Sequence, residues 1–264
     1  MQGHQFDLFA GAGALAEAAP TQPTRRSPAQ PASLDDAALL AAIPASNLSD
    51  GPSLATEAGR RRLAAAIPVL VDYCRRFAGF GTERPLPEQI AALEAIGAIG
   101  GPVAAATIAT IIARQWVQGP TLATAVAVGA RLAATLPGAS VLPLLRHADP
   151  AVRADACYLA RGGPEVIATL LDLMGDLPQH VSEAAACALA RLGRTEARPL
   201  LIRILKQTPT VRAIEAIAEI ADEECIVLLG RIARTASADL AKAARDALEA
   251  TEHPRAERLL QRLG

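Results

Sequence analysis

The chain has 264 residues, a formal net charge of −1 and 51% hydrophobic residues, of which few are large, because only 3% of the chain is aromatic. This charge balance argues against direct nucleic-acid binding, since nucleic-acid-binding domains usually carry a basic excess. No stretch reaches about 18 uninterrupted apolar residues, and the first residues lack a basic region followed by an apolar one, so we expect neither a membrane span nor a signal peptide.

The chain contains four cysteines and four histidines, and neither set has the spacing of a metal site. No two cysteines form a C-x-x-C pair, so we expect small buried residues in a reducing, cytoplasmic compartment. The histidines are scattered, and no glycine-rich loop is followed by Lys-Ser/Thr, so the sequence predicts neither a metal nor a cofactor. The eight residues are Cys74, Cys157, Cys187, Cys225, His4, His147, His180 and His253.

Residues 1–32 form the first predicted segment of the chain. After residue 9 this segment is rich in Pro, Gly and Ala, with Leu15 as its only large apolar side chain. Such a composition cannot bury enough surface to offset the entropy of ordering the chain. The sequence therefore predicts a disordered arm.

The arm begins with a pentapeptide, Gln5-Phe6-Asp7-Leu8-Phe9. It resembles the sliding-clamp-binding motif of bacterial replication and repair proteins, Gln-Leu-Ser/Asp-Leu-Phe, and departs from it at Phe6. The resemblance implies docking on the DNA sliding clamp, with Leu8 and Phe9 in an apolar pocket and Gln5 in polar contacts beside it. Two alternatives stay open: the apolar side chains pack back onto the helical part of this chain, or the pentapeptide has no role.

Residues 33–82 are predicted to be helices that cap the rest of the chain. Ser33 followed by Asp36 is similar to a capping box, and the helix that begins there is expected to end at Pro44. Two more helices are expected, over 53–66 and from Pro68 to the glycines near residue 80. Their arginines either form a solvated face or bind an acidic partner or phosphate. These are Arg60, Arg61, Arg62, Arg75 and Arg76.

From residue 83 to 264 the sequence repeats itself about every 30 residues. The pair Ala188-Leu189 recurs as Ala216-Ile217 and Ala247-Leu248, and upstream as Ala95-Ile96, each at the same place in an apolar helical pattern. Alanine suits closely packed helices, whose axes can then approach to the short end of the usual ~8–10 Å. We therefore predict an all-α solenoid of about six helix pairs: 87–100 with 102–115, 120–135 with 139–147, 150–161 with 164–175, 179–192 with 196–206, 210–221 with 223–235, and 238–250 with 254–263.

The starts of two first helices carry a family resemblance. The runs Asp149-Pro150-Ala151-Val152-Arg153 and Thr208-Pro209-Thr210-Val211-Arg212 resemble bacterial HEAT repeats of the phycobilisome-lyase type. The resemblance covers residues 83–264 and implies a HEAT-like array. Such arrays serve as scaffolds and adaptors and, less often, as enzymes. It therefore implies a non-catalytic protein-interaction scaffold or adaptor, and leaves open a phycobilin-lyase-like or other modifying enzyme as the alternative.

In HEAT arrays of this kind the second helices are expected to line the concave face, and here they carry a matched set of cations. Arg203, Arg231 and Arg262 each lie three residues after the first leucine of a double apolar step, and Lys206 and Arg234 follow one turn later. We call these five residues the basic ladder. It either binds an acidic protein partner or is a solvated face neutralised by the glutamates of the same helices.

Overall fold

The computed structural model describes residues 30–262, and this part of the chain folds into fifteen α-helices and contains no β-strand. Connections of six residues or fewer join consecutive helices, except for the segment 76–86 between α3 and α4. Their bounds are α1 Asp36–Ala45, α2 Gly51–Arg60, α3 Ile67–Arg75, α4 Pro87–Ile99, α5 Gly101–Ala113, α6 Pro120–Arg131, α7 Gly138–Leu145, α8 Pro150–Leu159, α9 Pro164–Leu173, α10 Gln179–Arg191, α11 Arg198–Gln207, α12 Val211–Ala218, α13 Glu223–Thr235, α14 Ala238–Ala250 and α15 Pro254–Leu260.

The array from α4 to α15 consists of six helix pairs, which confirms the predicted α-solenoid. We call α4, α6, α8, α10, α12 and α14 the first-helix layer, and α5, α7, α9, α11, α13 and α15 the second-helix layer. Every consecutive pair of first helices packs together along the whole array. Among the second helices, close packing joins α7 to α9, α11 to α13 and α13 to α15.

Alanine explains the tight first-helix layer. In α10 the side chains of Val181, Ala184, Ala185 and Ala188 are all buried, and the short alanines allow the neighbouring helices to approach closely. Consecutive first helices are therefore in contact along the whole array, whereas close packing between consecutive second helices is interrupted. That the second helices line the concave face stays a prediction.

The helix ends follow the local sequence. Asp149 caps α8 by accepting a hydrogen bond from the Ala151 amide at 2.8 Å, and Asp222 caps α13 by accepting one from the Cys225 amide at 3.0 Å. Proline occupies the first turn of several helices, where its missing N–H costs nothing. Gly193 follows α10 with φ of 71°, a left-handed conformation that glycine adopts without strain.

The N-terminal helices continue the two layers of the array. Helix α2 packs closely on α4, and α3 packs on both α4 and α5. The buried apolar side chains form one cluster that runs from Leu39 to Ala256. The helices of the predicted capping region therefore share their core with the predicted array.

Details of the first helix differ from the sequence-based prediction. Its N-cap is Asp35, whose carboxylate accepts a hydrogen bond from the Ala38 amide at 2.7 Å, and it is not Ser33. Asp35 is better placed because it directly precedes the first helical residue. The helix also includes Pro44 and ends at Ala45. A proline in the last turn removes one hydrogen bond of the helix without preventing the turn.

Arg61 holds the chain that precedes α1. Its guanidinium is paired with Glu57 at 2.7 Å and Asp36 at 2.9 Å, and it also donates to the carbonyls of Pro31, Ala32 and Leu34. Residues 31–33 form a short 3-10 turn against it. The predicted arm, residues 1–32, otherwise lies outside the described residues.

Two further sequence-based expectations concern burial and membranes. All four cysteines are buried, as predicted, and they are unbonded thiols. Among residues 30–262, no helix combines the length and the apolar character that crossing a membrane requires.

Candidate partner-binding surface

Two surface depressions lie on the first-helix layer. One, of about 390 Å³, is lined by residues of α6, α8, α10 and α12, and the other, of about 480 Å³, by residues of α12 and α14. Glu215 and Glu219 line both, so the two depressions adjoin along α12, and we call them together the first-helix groove. Its other lining residues are Ala130, Arg131, Tyr158, Cys187, Arg191, Arg212, Ala216, Val211, Ala218, Asp239, Lys242, Ala243, Asp246, Ala247 and Ala250.

In the first depression, two arginines contact the ring of one tyrosine. The Cζ atom of Arg212 lies 4.2 Å from the centroid of the Tyr158 ring, and that of Arg191 lies 5.2 Å from it. Both distances are within the range of a cation–π contact. Tyr158 comes from α8, Arg191 from α10 and Arg212 from α12, so three successive repeats contribute to this arginine–tyrosine cluster.

The two arginines keep their charges free for a ligand. Among the described residues, neither Arg191 nor Arg212 has a carboxylate within 4.0 Å. Arg191 donates a long hydrogen bond, 3.4 Å, to the Cys157 carbonyl. By contrast, Arg131 at the edge of the groove is paired with Glu94 at 2.7 Å. Contact with a ring limits the motion of a guanidinium without neutralising its charge.

Burial shifts the pKa values of two ionisable groups in and beside the cluster. Burial raises the pKa of Tyr158 to about 12, with a further rise from Cys187, while Arg212 acts in the opposite direction. Burial also raises the pKa of the Asp155 carboxyl, and Arg212, His180 and Arg131 oppose that rise. Tyr158 therefore stays neutral near pH 7, where it can only donate or accept a hydrogen bond.

The second depression is acidic. Four carboxylates line it, those of Glu215, Glu219, Asp239 and Asp246, together with one cation, Lys242. The ammonium of Lys242 is paired with Asp246 at 2.8 Å. We call these four carboxylates the acidic half of the groove. Three of them have no ion-pair partner in the part of the chain that the structure describes.

The thiol in the groove is not an activated nucleophile. Burial raises the pKa of Cys187 to about 12, with Glu183 adding to the rise, so the group is a protonated thiol near pH 7. A reactive cysteine needs the thiolate form. Within residues 30–262, no group of three or more His, Cys, Asp or Glu side chains lies close enough together to hold a metal ion.

Part of the chain matches a known family of repeats. Residues 139–214 match the family described as HEAT repeats. The match covers α7 to α11 and the start of α12. All three members of the arginine–tyrosine cluster, Tyr158, Arg191 and Arg212, lie inside the matched stretch. A comparison with curated proteins finds no match.

The basic ladder follows the second helices of the array, and its members are exposed. Arg203 and Lys206 are on α11, Arg231 and Arg234 on α13, and Arg262 follows α15. The first-helix groove is lined by first helices, so the structure does not bring the ladder together with it. Lys206 is paired with Glu224 at 3.0 Å, which neutralises one of the five cations.

The other predicted binding residues, Gln5, Phe6, Asp7, Leu8 and Phe9, lie outside the described residues. Four of the five arginines of the N-terminal helices contact groups of the protein itself, Arg61 among them. Arg60 pairs with Glu57 at 2.7 Å, and Arg75 pairs with Asp72 at 2.8 Å. Arg76 donates to the Ser46 carbonyl at 3.3 Å and also to that of Pro44. These contacts favour the solvated-face interpretation of this set.

Sequence reasoning missed the arginine–tyrosine cluster because its members occupy different positions in successive repeats. A signal was nevertheless present in the first helices. Polar residues recur there at helical spacing, as in Glu183 and Arg191 of α10 or Arg212, Glu215 and Glu219 of α12. Such residues must face away from a core that alanine fills.

Proposed function

We propose that the protein is a non-catalytic protein-interaction scaffold that binds a partner in its first-helix groove. HEAT repeats commonly serve as interaction scaffolds. The observation that carries the proposal is the pair of unneutralised guanidinium groups, Arg191 and Arg212, fixed against one tyrosine ring in a depression of about 390 Å³. Charges that are held in place before binding lose less entropy when a partner binds.

Affinity capture with the full-length chain tests the scaffold function. We expect the wild-type chain to retain at least one host protein that a tag-only control does not retain. Binding in the groove predicts that Arg191→Glu/Arg212→Glu loses this protein, whereas Arg114→Glu/Arg258→Glu, with the same change in charge at two exposed arginines on second helices, keeps it. Capture of no protein above the tag-only control would contradict the scaffold function itself.

The arm adds a second proposed element, a tether to the DNA sliding clamp. Support comes from the pentapeptide Gln5–Phe9, in which Leu8 and Phe9 would be the apolar anchors. Residues 10–29 separate it from the described part of the chain, and a flexible chain of that length has an r.m.s. reach of roughly 22–27 Å. Such a reach would hold the clamp beside the HEAT array without forcing the two to touch.

Calorimetric titration of the host clamp tests the tether. We expect the full-length chain to bind and Leu8→Ala/Phe9→Ala to abolish binding, because the variant removes both anchors. The matched control is Leu15→Ala, which removes the only other large apolar side chain between residues 10 and 29. Equal binding by the double variant, or none by the wild type, would reject the clamp assignment and leave the scaffold proposal untouched.

The basic ladder remains a separate proposed surface for an acidic protein partner. It rests on the matched repeat positions of Arg203, Arg231 and Arg262, and on their exposure. Reversing all three to Glu is expected to weaken binding of such a partner and to reduce its salt dependence. If every identified interaction survives the reversal with its salt dependence unchanged, the ladder is a solvated face.

A further inference from the structure

We propose that the first-helix groove binds an extended peptide segment whose acidic side chain sits on Arg191 and Arg212, and whose basic side chain, about three residues away, sits in the acidic half. This inference rests on the proposed scaffold function and names the chemistry of its partner. The unpaired guanidinium groups line one depression, Asp239 lines the other, and Glu215 and Glu219 lie where the two adjoin, so a single segment can meet both charges. Electrostatic complementarity of this kind sets register and direction.

The arginine end fits one carboxylate better than a phosphate. Arg191 and Arg212 are free, but Glu215 and Glu219 line the same depression and Asp155 lies half-buried near Arg212. These three carboxylates would repel a doubly charged phosphate group more strongly than a singly charged side chain. A carboxylate can also accept two parallel hydrogen bonds from a guanidinium. The geometry therefore favours an Asp or Glu side chain of the partner.

The acidic half fits a cation. Lys242 is already paired with Asp246, which leaves the carboxylates of Glu215, Glu219 and Asp239 without a counterion among the described residues. A Lys or Arg side chain of the partner would supply that charge. Like charges clustered on neighbouring helices repel one another, so neutralising them adds to the favourable energy of binding.

The spacing and the floor of the groove indicate an extended ligand. The arginine–tyrosine cluster lies between α10 and α12 and the acidic half between α12 and α14, so their centres are about one helix spacing, ~8–10 Å, apart. An extended chain covers that distance in about three residues. The floor consists of small side chains, including Ala216, Ala218, Ala243 and Ala247, over which a peptide backbone can lie closely. A ligand helix, which rises about 1.5 Å per residue, would need about five to seven residues to cover the same distance.

Selection from a phage-displayed library of random 12-residue peptides on the full-length chain tests the inference. We expect enriched peptides to carry Asp or Glu two to four residues from Lys or Arg, in one constant order. Selection on Arg191→Glu/Arg212→Glu should lose the acidic position and keep the basic one. Three results would each overturn the inference: no enrichment, enrichment without charged pairs, or a constant spacing near seven residues, which a ligand helix would produce at about 1.5 Å per residue.

Titration with a synthetic copy of an enriched peptide, followed by fluorescence anisotropy, measures how much each arginine contributes to peptide affinity. We expect Arg191→Gln and Arg212→Gln each to weaken binding about tenfold or more, because each removes a charge-assisted hydrogen bond. Arg114→Gln is the matched control and should bind like the wild type. Circular dichroism of each variant shows that it is folded. Equal affinity of the wild type and both groove variants would overturn the inference.

The inference and the scaffold function can fail separately. If a host protein captured by the wild-type chain is also captured by Arg191→Glu/Arg212→Glu, the scaffold function holds and the groove is not its docking site. If no host protein is captured at all, the scaffold function itself is contradicted.

Discussion

The two layers of the solenoid bury side chains of different size between neighbouring helices. In the first-helix layer, short side chains such as Ala184, Ala185 and Ala188 of α10 allow neighbouring helices to pack closely along the whole array. In the second-helix layer, the buried side chains include larger ones such as Leu201 and Ile204 of α11. Close packing of the first helices brings polar side chains of neighbouring repeats together, as in the contacts of Arg191 and Arg212 with Tyr158. The contrast explains why the groove is on the layer richest in alanine.

Overpacking the first-helix layer is expected to give the largest effect. Ala185 is fully buried between helices, so Ala185→Leu or Ala216→Leu should force neighbouring helices apart and cost about 1–3 kcal/mol. The matched control is Ala106→Leu on an exposed position of α5 in the second-helix layer, with an expected change within about 0.5 kcal/mol. Chemical denaturation of the three variants measures the difference. Equal costs for Ala185→Leu and Ala106→Leu would show that close packing between the first helices does not confine Ala185.

Most of the fold could be predicted from the sequence, because periodic apolar patterns and stop signals are local features. Residues 179–192 were predicted as a helix, and the structure has α10 over Gln179–Arg191. The sequence pattern predicts the N-cap of α1 at Ser33, two residues before the observed cap, Asp35. Both residue types are good N-caps, and the pattern alone does not choose between them. Asp35 wins because its carboxylate meets the Ala38 amide.

The candidate site could be predicted only in part. The repeat alignment finds residues at equivalent positions, which is how the basic ladder was identified. Tyr158, Arg191 and Arg212 are not equivalent, and they meet because of the offset between neighbouring helices. The spacing between neighbouring helices likewise depends on side-chain volumes summed over many contacts, which an alignment of repeats does not show.

A cap that also links two first helices should give the next largest effect. The Thr210 hydroxyl accepts a hydrogen bond from the Ala213 amide at 3.2 Å and donates one to Glu183 of α10 at 2.7 Å. Thr210→Ala removes both and is expected to cost about 0.5–2 kcal/mol. Thr235→Ala is the control in the second-helix layer, where the hydroxyl only donates to the Arg231 carbonyl of its own helix. Thermal unfolding that ranks the two variants in the opposite order would refute this account.

The N-terminal end of the first-helix layer is expected to weaken in acid. Hydrogen bonds from Arg60 and then Arg61 lower the pKa of Glu57 from 4.5 to about 2. A carboxyl with a lowered pKa in the folded state contributes stability above pH 4.5, and loses it as the pH falls towards 2. Thermal unfolding midpoints should show Glu57→Gln below the wild type at pH 7, with the gap closing towards pH 2.

Glu252→Gln is the control for this pH dependence, because Glu252 is an exposed residue near the other end of the array. Its unfolding midpoint should stay close to that of the wild type at pH 7. A gap between Glu57→Gln and the wild type that stays constant from pH 7 to pH 2 would show that the arginine contacts do not act through the charge of Glu57.

The smallest effect is expected from the ion pair between Lys206 and Glu224 in the second-helix layer. Lys206 and Glu224 are 3.0 Å apart, but their side chains are 53% and 61% exposed. A double-mutant cycle of Lys206→Ala and Glu224→Ala should give a coupling energy below about 1 kcal/mol, because solvent screens exposed pairs. The same cycle on Arg153 and Asp176, 2.8 Å apart and 15% and 22% exposed, should give a larger coupling, since Arg153 is also held by two backbone carbonyls. Couplings of equal size would mean that burial does not distinguish the two pairs. Lys206 would then be held by Glu224 too strongly to bind an acidic partner as part of the basic ladder.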